Sequence, residues 1–201
     1  MTLESVYIVI AFIIISLLLL MGFLFKKKIK KQHKTIILNK KDIVKYLLKN
    51  YPKINFDVSR LGKSNFDNIE DEKISVVEDI TRQFANIQTD FPNSAPMIDH
   101  EFIWESYLVN SKPPKGKIPP DLSKRREAIL FRDKHTCQRC STDLNKDNMR
   151  IYYLKDIEDG GDYSFENMIS VCNDCHKVLH SKDINKTIYE LELSEKLLTI
   201  A

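Results

Sequence analysis

Residues 118–182 read IPPDLSKRREAILFRDKHTCQRCSTDLNKDNMRIYYLKDIEDGGDYSFENMISVCNDCHKVLHSK, and the four cysteines within them decide how the chain folds. Cys137-Gln-Arg-Cys140 and Cys172-Asn-Asp-Cys175 stand 31 residues apart, and the chain has no other cysteine. Such a set can form two disulfides, serve as redox dithiols or hold a metal. Each Cys-x-x-Cys puts two thiolates on one turn, and two such turns supply the four sulfur ligands of a tetrahedral zinc ion. Structural zinc on Cys137, Cys140, Cys172 and Cys175 is therefore the expectation. The long segment between the knuckles should itself be folded.

Asp121 or Ser123 can cap a helix through KRREAILFRD to about Asp133, directly before the first knuckle. This helix and knuckle, the loop DGGDYSFENMISVC and the ending CNDCHKVLH together resemble the zinc-containing HNH endonuclease family. The resemblance covers 118–182 and implies a ββα-metal domain, hence an α+β fold class. It also implies a separate divalent metal such as Mg²⁺ at the reacting centre of an active member. There a strand histidine acts as general base, an acidic residue helps hold the cation, and an asparagine fixes the loop.

Counting back from the Gly160-Gly161 pair sets the register. Tyr153 stands where the family has its base histidine, and Tyr152 where it has its metal-binding aspartate. Asn167, His176 and His180 remain and are the candidate catalytic residues if the domain is active. Tyrosine ionises near pH 10, so it is a poor base at neutral pH. Asp156, Glu158, Asp159, Asp162 and Glu166 crowd the loop without a lysine or arginine among residues 156–166, which disfavours an approach to phosphate. Over residues 121–183 eleven basic side chains face twelve acidic ones, yet Lys124, Arg125, Arg126, Arg132 and Arg139 form a local basic set. They are the candidate nucleic-acid contacts.

Outward from this module the chain reads as appendages. VYIVIAFIIISLLLLMGFLF, residues 6–25, carries no charge, and about 20 apolar residues match a bilayer's hydrocarbon. Lysines 26, 27, 28, 30, 31 and 34 follow it. These features predict a single-pass transmembrane helix at 6–25, an extracytoplasmic stub at 1–5 and a basic juxtamembrane segment at 26–34. The remainder, including the C-terminal domain, is then cytoplasmic at the cell membrane, where its thiols stay reduced. Removing those six lysines turns the net charge of +3 into −3, so the basicity of the chain lies in that flank.

Residues 35–115 are expected to be mostly helical. Asn39 should cap a short helix ended by Pro52, and Ile69, Val76, Val77, Ile80, Phe84 and Ile87 recur at helical spacing. Residues 61–67 read as a linker, 101–109 as strand or helix with Trp104 packed on a core, and KPPKGKIPPD as a boundary. The tail, 183–201, fits a strand or a short helix. The function expected from all this is a membrane-anchored, nuclease-impaired HNH-like zinc protein that binds nucleic acid or a protein partner. The alternative is an active divalent-metal-dependent endonuclease that cleaves DNA with a divergent site.

Overall fold

The computed structural model describes residues 3–59, 61, 69–99, 103–105, 107 and 118–200; for 3–13, 28–39 and 69 it describes the backbone alone. Helix α1 (Leu3–Asn50) is followed by α2 (Ile69–Asn86) and α3 (Leu122–Arg132). Strands β1 (Met149–Tyr153) and β2 (Met168–Cys172) then precede α4 (Asn173–Leu179), α5 (Ile184–Thr187) and α6 (Glu192–Ile200).

The expected transmembrane helix and short capped helix are replaced by one continuous helix. No breaker lies between Lys26 and Asn50, and Asn39 sits inside α1 instead of capping it. Among the described residues no helix is long and apolar enough to cross a membrane. The described apolar side chains run from Ile14 to Phe25 and give way to Lys26 and Lys27. The membrane-spanning assignment of 6–25 is therefore corrected. The single-pass location, the membrane as partner, and the cytoplasmic placement of the C-terminal domain fall with it.

Helix α2 forms as its periodicity predicts. Val77, Ile80 and Phe84 are buried on one face, and Glu70, Asp71 and Glu72 occupy the first turn, where the helix dipole favours negative charge. The strands pair antiparallel, with Met149 opposite Cys172 and Tyr153 opposite Met168, and α4 follows β2 directly. This is a ββα arrangement, with α3 leading into it. The tail settles as helix: Asp183 accepts from the backbone amides of Asn185 and Lys186 to start α5.

One core joins these pieces. Ile43 and Leu47 of α1, Ile80 and Phe84 of α2, Val171 of β2, and Leu193 and Leu197 of α6 are all buried in it. Tyr51 meets the Phe84 ring edge-on, centroids 5.4 Å apart. Polar seams reinforce the union. The Thr142 hydroxyl donates to the Asn50 carbonyl, Lys53 Nζ donates to Gln138 O at 3.1 Å, and Ala95 N donates to Glu166 O at 2.7 Å. Trp104 is half-buried and edge-on to both Tyr107 and Phe165; the rest of its patch lies largely outside the described residues, as does the 61–67 linker beyond Leu61.

The Gly-Gly pair closes the loop between the strands. Gly160 has φ +88°, and Gly161 N donates to Asp156 O at 2.8 Å. A Cβ on Gly161 would lie 2.0 Å from the Lys155 carbonyl oxygen and 2.8 Å from that of Asp156. Gly161→Ala should therefore destabilise the protein by about 2 kcal/mol or more. Gly160→Ala should cost about 1 kcal/mol. Chemical denaturation of the two variants checks the order.

Candidate metal centre

The first knuckle is set by the C-terminus of α3. Asp133 N closes the helix on Ile129 O, and Lys134 and His135 adopt positive φ values of 54° and 56° to turn the chain into Cys137. Ser141 N donates to Cys137 O at 2.8 Å, with Ser141 itself at φ +61°. The second knuckle is the junction of β2 and α4, where Cys175 N donates to Cys172 Sγ at 3.4 Å. Gln138 N reaches Ser170 O at 2.9 Å, and the Asp133 carboxylate accepts from both the amide and hydroxyl of Ser170 at 2.8 Å. These bonds hold the two knuckles face to face.

All four thiols are buried and unbridged. Their sulfurs lie within 4.8 Å of one another, and Cys140 Sγ is 3.8 Å from Cys172 Sγ. A disulfide needs about 2.05 Å, whereas tetrahedral zinc with Zn–S bonds of about 2.3 Å spaces its sulfurs about 3.8 Å apart. The donor set fits zinc.

Four thiolates on Zn²⁺ carry two net negative charges, and Arg139 lies beside them. Its guanidinium is buried, 3.6 Å from Cys175 Sγ, and stacks over Phe84. The same group donates to the carbonyls of Phe84 at 2.8 Å, Ala85 at 3.4 Å and Ile87 at 3.0 Å, the open end of α2. The other knuckle mirrors this. The buried Asp174 carboxylate accepts from Glu192 N at 2.8 Å and Leu193 N at 2.9 Å, the start of α6. Burial pushes its carboxyl up, against the pull of those two amides. Each knuckle thus holds one helix by the end whose dipole it complements.

The strand site lies on β1, towards the end of the sheet away from Cys172. Tyr152 and Tyr153 occupy consecutive β1 positions opposite Ile169 and Met168. The Tyr152 ring lies 5.4 Å from Phe91 and 5.5 Å from His180, and His180 in turn lies 4.3 Å from His176. Tyr153 packs edge-on against Tyr163, and burial pushes its phenol up to about 12. Burial, then the charges of His180 and Arg150, push His176 down. Asn167 is fully engaged in the loop: its amide donates to Lys155 O at 2.9 Å and Asp162 O at 2.8 Å and accepts from Lys155 N at 2.7 Å. Among the described residues the four cysteines are the one group of three or more His, Cys, Asp or Glu residues placed to share a metal.

Most of the basic set is committed within the protein. Arg125 is buried, paired with Asp121 at 2.8 Å and donating to Tyr163 O at 2.6 Å. Arg132 pairs with Asp133 and donates to Phe165 O and Met168 O, each at 2.7 Å. Arg126 donates to Met149 O at 3.0 Å, and Lys124 lies exposed over the Trp104 ring. The helix-anchoring roles of Arg139 and Asp174 were not foreseen; the opposite charges inside the two knuckles are the sequence signal for them. Phe91, whose ring covers Tyr152, carried no signal at all.

Residues 137–182 match the family model of the HNH endonuclease. No curated protein and no solved structure matches the chain. The matched segment is an HNH-like domain with a cysteine site suited to structural zinc.

The protein should bind one zinc per chain, and cobalt substituted for it should give the absorption of a tetrathiolate site. A chelator or Cys172→Ser should abolish cooperative unfolding. Asp174→Ala should cost about 1–3 kcal/mol by leaving two amides unpaired, with the loss of hydrogen-exchange protection centred on α6.

Proposed function

We propose that the HNH-like domain is a zinc-stabilised binding module whose hydrolytic centre has been replaced, with nucleic acid as its partner. The observation that carries this reading is the aromatic cluster of Phe91, Tyr152 and His180 at the strand position where an active member holds its cation. A phenol ring there offers no carboxylate to a hard divalent ion. Tyr153 stays protonated at neutral pH because burial raises its phenol to about 12, so it takes no proton from water. The three bonds of Asn167 organise the loop with or without chemistry.

Nucleic acid is the favoured partner because it is the substrate class of the family whose model matches. A protein partner is the reading left if no nucleic acid binds. One feature speaks for retained activity. His176 and His180 stand ring to ring at 4.3 Å, and His176 is biased towards its neutral, metal-binding form. Imidazole pairs suit borderline ions such as Ni²⁺ better than Mg²⁺.

The test is incubation of the whole chain with plasmid, single-stranded DNA and RNA in Mg²⁺, Mn²⁺ and Ni²⁺. The expected result is no cleavage in any metal, with retarded migration of one nucleic acid. Cleavage that disappears in His176→Ala and persists in Lys182→Ala would overturn the replaced-centre reading. Asn167→Ala should lower stability by about 1–3 kcal/mol in the same preparations, whatever the outcome with nucleic acid.

A further inference from the structure

The arginines of the HNH-like domain all bond within the protein, which leaves lysines to meet an anionic partner. The C-terminal part of α1 supplies them. Ile43 and Leu47 turn into the core, and Lys41, Lys45 and Lys49 form an i, i+4, i+8 row on the face away from it. All three are exposed and form no ion pair among the described residues. Beside the row runs a cleft of about 680 Å³, lined by those lysines with Lys40, Val44, Leu48, Val58 and Leu61. Leu48 is 68% exposed within it.

The far wall of the cleft, Val58 and Leu61, follows a contact with α2. Gln83 of α2 accepts from Asp57 N at 2.8 Å and donates to Asp57 O at 3.1 Å, and Leu61 N turns back onto Val58 O at 3.2 Å. Acidic neighbours are few: Glu72 pairs with Lys40 at 3.7 Å, while Asp42 and Asp57 are exposed nearby. The helix bearing the row ends at the zinc domain, where Asn50 O receives the Thr142 hydroxyl. The end of α1 thus abuts the first knuckle.

We infer that this lysine-rimmed cleft on α1 is the nucleic-acid-binding surface of the protein and that it takes a single strand. The inference rests on the nucleic-acid reading above and names its surface. Successive lysines of the row rise about 6 Å along the helix, so the row spans about 12 Å of a backbone that carries a charge at every nucleotide. The apolar floor beside it can meet bases or sugars turned away from the phosphates. A duplex keeps its base faces stacked inside, so only an unpaired strand can use both features. A groove that combines backbone cations with apolar contact is how unpaired strands are held without sequence choice.

Fluorescence anisotropy of a labelled oligothymidylate over a range of salt tests this. Three chains are compared: the wild type, the variant Lys41→Gln/Lys45→Gln/Lys49→Gln, and a charge-matched control, Lys182→Gln/Lys186→Gln/Lys196→Gln. Circular dichroism confirms their fold. The cleft variant should lose about tenfold or more in affinity at low salt, and its log K against log salt slope should flatten by about 2, at ~0.7 per phosphate contact. The control should keep the wild-type slope.

Equal losses in both triple variants would overturn the inference, since net charge alone would then explain binding. Unchanged binding by the cleft variant would also overturn it, while leaving the nucleic-acid reading standing. Absence of binding by the wild type would overturn both. Displacement by polyglutamate as effective as by unlabelled oligonucleotide would assign the cleft to an acidic protein instead.

Discussion

Four sulfurs held within 4.8 Å of one another are the constraint on which the rest of this structure depends. Brought together as thiolates they repel strongly, and only a cation at their centre makes the arrangement favourable. Once formed, the centre is negative and buried, and it shapes what surrounds it. Arg139 is drawn against Cys175 and carries the end of α2 with it. Asp174, in the opposite knuckle, takes the start of α6. Zinc in this protein therefore organises an assembly that reaches beyond the segment of HNH type.

The same economy explains the strand site. Here Phe91, from the segment after α2, lies on Tyr152. Its ring arrives with the rest of that segment, which Ala95 pins to Glu166 O. The Phe91–Tyr152 contact and the docking of the preceding chain thus fall together on the ββα unit.

How much of this was legible in the sequence varied with the range of the interaction. The cysteine spacing, the amphipathic period of α2 and the glycine pair are local patterns, and each marks what the structure contains. The roles of Arg125, Arg132 and Arg139 are not local. Each guanidinium spans more than thirty residues to reach a backbone carbonyl, and a run of arginines reads as a surface until those partners are placed. The apolar N-terminal run has the composition of a span, yet among the described residues no helix meets that requirement. Zinc is marked by the sulfur spacing, which no sequence can display.

The bonds from Arg139 and Asp174 share one property: they end on the main chain. Every helix presents free carbonyls at one end and free amides at the other, whatever its side chains. Bonds of this kind fix where a helix ends without choosing its side chains. At these two ends packing makes the choice, since Phe84 lies under the Arg139 guanidinium and both Phe84 and Leu193 are buried in the core. The domain behaves as a socket whose polar grip places the helices and whose apolar lining selects them.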